Sequence, residues 1–182
     1  MSTDYGSATV SRRLRENGPG VLVPLAWTFV TAAHLDLVGT RPVLIAHIVM
    51  DVLLAAFAVT SYRDMQSGVL RAWLWVIVLG FGVTLVGTAS FFVDGQVSTA
   101  MQTATVAGWM LLPGVALVYT GVETPDGGAG WVYTAGGLGS LAGLVVYLAG
   151  ASVVETALAL PVGLTLTNLG QTAGILNAVV AD

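Results

Sequence analysis

Long apolar stretches alternate with short polar ones along this chain. Six of them lie near 20–40, 43–62, 69–93, 98–120, 131–150 and 156–179. A helix needs about 20 apolar residues to cross a hydrocarbon layer about 30 Å thick, because it rises 1.5 Å per residue. The stretches are apolar on all sides and too long for barrel strands, which alternate over segments of about ten residues. Lipid leaves helices as the remaining way to satisfy the backbone within each span. The expected fold is therefore all-α: a polytopic integral membrane protein with six transmembrane helices, forming one domain over 20–182 behind a tail at 1–19.

Punctuation supports the helices. Arg41-Pro42 opens the second span, where a proline costs no helix hydrogen bond, so spans 1 and 2 are expected to form a tight antiparallel hairpin. A repeat follows at an offset of 48. Gly20-Val21-Leu22 recurs as Gly68-Val69-Leu70, Trp27 as Trp75, Val30 as Val78, and Leu37-Val38-Gly39-Thr40 as Leu85-Val86-Gly87-Thr88, nine identities in 21 aligned positions. It implies that spans 1–2 and 3–4 are parallel copies. Pro113 and Pro161 lie inside spans and predict kinks. In span 5, Ala135, Gly139 and Gly143 stand four apart, as do Gly170 and Gly174 in span 6. Small residues at that spacing let helix backbones approach in lipid. They serve either packing within the chain or, through the Gly-rich fifth helix, a homo-oligomer or a partner in a membrane complex.

Composition narrows the setting. Hydrophobic residues make up 55% and charged ones 9%, there is no cysteine, and the net charge is −4. Disulfides, thiolate metal sites and cysteine nucleophiles are excluded. The acidic balance argues against nucleic acid as a partner. Lysine is absent, and six arginines carry all the positive charge. That resembles the halophile-like, archaeal-like composition that acidic, high-salt proteins adopt; a GC-rich genome favouring arginine codons gives the same bias. Arg12, Arg13, Arg15, Arg63 and Arg71 fall on one side of six spans and only Arg41 on the other, so both termini are expected in the cytoplasm and the chain in the cell membrane. Residues 8–17, with Val10 and Leu14 four apart among the arginines, fit a short amphipathic surface helix or a solvated tail. The same arginines before an apolar run also fit a secretory signal cleaved after Thr31-Ala32-Ala33, but the run continues too far for a usual signal core.

The candidate chemistry lies in polar residues within the spans. An aspartate at mid-membrane costs about 2.5–3.5 kcal/mol on insertion scales, so it is a functional hypothesis by default. Asp51 is the only acidic residue deep in a span, about 14 Å past Pro42 and near the bilayer centre. His47 precedes it by four and shares its face. His34 and His47 are placed symmetrically about the predicted turn, which puts them at equal depth. Asp36 points away from His34 and is read as interfacial. Three readings of His34, His47 and Asp51 follow: a proton or ion relay, a metal site or bis-imidazole haem b site, or a structural pairing of His47 with Asp51. A second polar stripe, Thr165, Asn168, Gln171 and Thr172, is read as lining a pathway or pocket, or as hydrogen-bonding glue between helices. Trp73 and Trp131 fit an interfacial aromatic belt, and Trp27 lies on the His34 stripe. The chain carries no phosphate loop, nucleophile elbow or HExxH motif. The expected function is movement of a proton, ion or small solute; a haem- or metal-binding redox subunit and a structural subunit are the alternatives, and an enzyme is not expected.

Overall fold

A computed structural model describes residues 20–124, 129–152 and 158–181; the N-terminal segment with the candidate surface helix lies outside them. Six helices follow one another: α1 at Gly20–His34, α2 at Thr40–Ser61, α3 at Gly68–Ala89, α4 at Gly95–Glu123, α5 at Gly130–Ser152 and α6 at Ala159–Ala181. A 3-10 turn, Ser90–Phe92, joins α3 to α4. The helices Thr40–Ser61, Gly68–Phe92, Gly95–Glu123 and Gly130–Gly150 are long and apolar enough to cross a membrane. α1 is shorter, and α6, 23 residues long, is not among the four. The chain is an all-helical, polytopic membrane bundle.

Helices α2 to α6 each pack on the next in chain order. The α4–α5–α6 core is the tightest part, and its spacing is set by glycine. The buried face of α5 reads Gly136, Ser140, Gly143, Tyr147, a four-three-four spacing that keeps one side toward its neighbours. A Cβ at Gly170 would land on the Gly136 carbonyl, and one at Gly136 on the Gly170 carbonyl; Gly143 and Gly163 are related in the same way. Gly137 meets α4 at Gly114. Lipid gives no hydrophobic drive between apolar helices, so van der Waals contact between close backbones supplies most of the association. The face predicted from Ala135, Gly139 and Gly143 is therefore divided. Gly143 is in the core, Gly139 is half-buried, and Ala135 opens outward on an apolar groove with Trp131, Leu166, Leu169 and Ala173.

α1 closes this core from one side. Trp27 is buried with Met110, Tyr147 and Leu164, and Val23 and Val30 pack around them. Gly20 lies against Leu176 and Val179, so the start of α1 and the end of α6 share one end of the bundle. The repeat does not carry over to surroundings. Trp27 is 6% exposed and its counterpart Trp75 is 53% exposed, and α1 is far shorter than α3.

The first span ends earlier than its apolar run predicts. Asp36 takes φ 58, in the left-handed region. Leu37 N–H bonds to the Ala32 carbonyl and Asp36 N–H to the Ala33 carbonyl. These are the two bonds of a Schellman C-cap, with aspartate standing where glycine is usual. The helix thus stops at His34, not near residue 40.

Gly170→Val is expected to lower the unfolding free energy in detergent by about 3 kcal/mol, because its branched side chain meets backbone that cannot yield. Gly139→Ala, whose added Cβ would sit 3.5 Å from its nearest neighbour, is expected to be neutral. Equal denaturation midpoints for the two variants would refute the glycine contact as the determinant of spacing.

Candidate functional site

Gln171, 2% exposed, is a fully enclosed amide at the centre of the bundle. Its amide nitrogen donates to the Ser140 hydroxyl and to the Trp109 carbonyl, both at 2.9 Å. Its amide oxygen accepts from Trp27 Nε1 at 2.9 Å. Pro113 explains the second of these bonds. A helix carbonyl normally receives the N–H four residues later, and proline has none. Trp109 is four residues before Pro113, so its carbonyl is left without a helix partner, and Gln171 supplies one from α6. Ser140 passes its own proton to the Met110 carbonyl. Trp109 Nε1 reaches Thr84 Oγ1 at 3.0 Å on α3. Five helices are thus tied by one hydrogen-bonded belt, which crosses α1, α4, α5 and α6 near their midpoints.

Asp51 is on a different level. It lies at the midpoint of α2, and Thr88 Oγ1 donates to its Oδ2 at 2.6 Å. Thr88 belongs to the last turn of α3, which ends at Ala89. The middle of α2 therefore lies beside the last turn of α3, and the two helices are staggered. Its other oxygen, Oδ1, is enclosed and has no partner. One turn nearer the start of α2, His47 donates Nδ1–H to the Val43 carbonyl at 2.9 Å. Its ring meets Phe91 edge-on, at 5.3 Å between centroids. The imidazole fills space that Gly87 leaves open: a Cβ there would lie 2.8 Å from His47 Nε2 and from Thr105 of α4. His47 and Asp51 share the α2–α3 interface without bonding each other, so the expected His47–Asp51 pairing is replaced by a tie from Asp51 to Thr88.

His34 belongs to a separate cluster. It donates Nδ1–H to the Val30 carbonyl, and its Nε2 faces the Tyr147 hydroxyl of α5 at 3.1 Å. With Nδ1 committed as donor, the neutral ring accepts the phenol proton at Nε2. Thr103 of α4 reaches the same phenol. Thr103 and Thr105 are two residues apart, about 200° around the helix axis. One faces the His34 cluster and the other the His47 cluster, so α4 stands between them. The predicted symmetry fails at its root as well: His34 is the last residue of α1, whereas His47 is seven residues, about 10 Å, into α2. Among the described residues, no three His, Cys, Asp or Glu side chains gather to hold a metal ion. A haem or metal held jointly by His34, His47 and Asp51 is not the arrangement of this structure.

The α6 stripe divides in the same manner. Gln171 points into the core, and Thr165 is exposed and bonds back to the Pro161 carbonyl. Asn168 and Thr172, both half-buried, bond to each other at 3.0 Å. The inward polar pair is Thr167 with Gln171, not Thr165 with Asn168. The glycines of α6 were the available signal, since Gly163, Gly170 and Gly174 mark its packed side. Sequence reasoning also missed Thr88, Tyr147, Ser140 and Trp109, which carry no charge and matter only through their partners.

The sequence matches no family model, and neither the curated proteins nor the solved structures yield a match.

Gln171→Leu is expected to cost about 3 kcal/mol of unfolding free energy, since it strands a buried carbonyl and an indole N–H in an apolar setting. Adding Pro113→Ala should recover about 1 kcal/mol by restoring the N–H that the Trp109 carbonyl lacks. The check is a double-mutant cycle by denaturant titration in detergent; strict additivity would show that Gln171 does not serve that carbonyl.

Proposed function

We propose that this chain is a membrane protein that moves a proton or small cation, with Asp51 as the exchanging group. The observation that supports this reading is the state of the carboxylate. Asp51 lies within a span, one oxygen is held by a single hydroxyl, and the other is enclosed without a donor. A buried acceptor left unpaired costs about 1–3 kcal/mol, more if charged. A proton or a small cation at Oδ1 removes that cost, which makes this oxygen the natural point of uptake. Asp51 stands at the α2–α3 interface, beside Thr88, so exchange there needs no passage through the glycine-packed core of α4, α5 and α6. His47, one turn away, is a titratable neighbour suited to pass the proton on.

In this reading the protein sits in the cell membrane with both termini in the cytoplasm. The arginine distribution supports that orientation. The start of α1 and the end of α6 lie at one end of the bundle, as it requires. Asp51 then exchanges on the outer side.

The test is flux in proteoliposomes under a pH gradient, read with an internal pH dye and with added monovalent cations in turn. Asp51→Asn is expected to reduce flux to that of empty liposomes, and Thr88→Val to reduce it partly. Parental flux no greater than that of empty liposomes, or full flux in Asp51→Asn, would overturn the assignment.

A further inference from the structure

We infer that α2 is a separately moving arm, held to an otherwise rigid scaffold by the Asp51–Thr88 hydrogen bond. The inference concerns docking of a helix and does not require that flux be observed.

The scaffold is α1 with α3 to α6. It is tied by the Gln171 belt and, between α4, α5 and α6, by backbones in glycine contact. α2 takes no part in the belt, and its glycine contact is through a side chain, His47 against Gly87 of α3, not backbone on backbone. Only 11% of its spanning window is buried, against 22%, 39% and 28% for α3, α4 and α5. Leu54 is its one buried residue. Its contact stripe is His47, Asp51 and Leu54, spaced four and three, on a single edge of the helix. Among the described residues, its only hydrogen bond to another helix is the one from Thr88; Thr60 and His47 bond back within α2.

Membrane physics makes this attachment weak. Lipid tails are as apolar as the side chains on α2, so leaving α3 for lipid carries no hydrophobic cost, and docking relies on close packing and polar ties. The docked state also encloses Asp51 Oδ1 without a donor. Undocking opens the enclosure around that oxygen and lets it reach a donor. One term holds the arm, and another term in the same side chain releases it. Irregular segments at 35–39 and 62–67 flank α2 on both sides. Gly39, at the first of them, has nothing within 4 Å of where a Cβ would stand. These are the hinges that a swinging helix needs.

The absence of native cysteine lets introduced pairs carry the only spin labels. One pair, Ile45→Cys on α2 with Leu138→Cys on α5, reports the arm. A second, Leu79→Cys on α3 with Leu169→Cys on α6, reports the scaffold. All four native side chains are exposed. Double electron–electron resonance on the full chain in lipid nanodiscs is expected to give a narrow scaffold distance. The arm pair should give a broader distribution, which Thr88→Val shifts to the undocked distance while the scaffold pair stays fixed. Asp51→Leu, which removes both the tie and the stranded oxygen, should abolish the two-state behaviour by leaving a single arm population. An arm distribution as narrow as the scaffold's and unmoved by Thr88→Val would overturn the inference. So would equal broadening of both pairs, which would mean that α2 is no separate body.

Discussion

The bundle depends on a hydrogen-bond transfer between helices. Proline in α4 removes a backbone donor where no water can replace it, and a side chain from α6 makes good the loss. Gln171 has two donors and one acceptor group, and all are used: two on the Trp109 carbonyl and Ser140, one on the Trp27 indole. The same residue therefore repairs one helix, binds a second and orients a third. Close glycine contacts on α5 and α6 place the amide within reach of those partners. A larger residue at any crossing would push the donors out of range, so packing and polar satisfaction are one constraint.

This arrangement separates what is fixed from what is free to act. The middle of the helix bundle is occupied by the Gln171 belt, whose hydrogen bonds are complete, and complete groups have nothing to offer a ligand or a proton. Among the described residues the incomplete group is Asp51, on the helix with the least buried surface among the four long spans. Chemistry and mobility thus coincide in α2. The His34–Tyr147 contact at the opposite side of α4 is saturated, and it fastens the end of α1 to α5.

Much of the architecture was legible in the sequence because lipid imposes a length and a hydrophobicity on anything that crosses it. Five of the six helices begin and end within a few residues of their apolar runs. The exception is α1, where Asp36 adopts a left-handed backbone; with no glycine in its place, nothing in the apolar pattern signals the stop. Asp51 stood out because ionisable residues are costly in a span. Its partner did not, because that follows from the stagger between α2 and α3, which brings Thr88 beside it. Gln171 was visible as a polar residue, but spacing assigns residues to a common face without saying which face is inward. The partners, Thr88, Ser140 and Tyr147, are uncharged and ordinary until the fold brings them together.

The Trp27–Gln171 bond joins residues 144 positions apart, and that separation bears on how the chain is made. α1 enters the bilayer before α6, and the acceptor for its indole N–H arrives only with α6. Until then Trp27 has an unanswered donor, and the Trp109 carbonyl beside Pro113 waits for the same side chain. Closure of the bundle is therefore a late event in biogenesis. A nascent chain cut short before α6 reaches the membrane with two polar groups still looking for a partner, a state that the quality-control machinery of a membrane is well placed to detect.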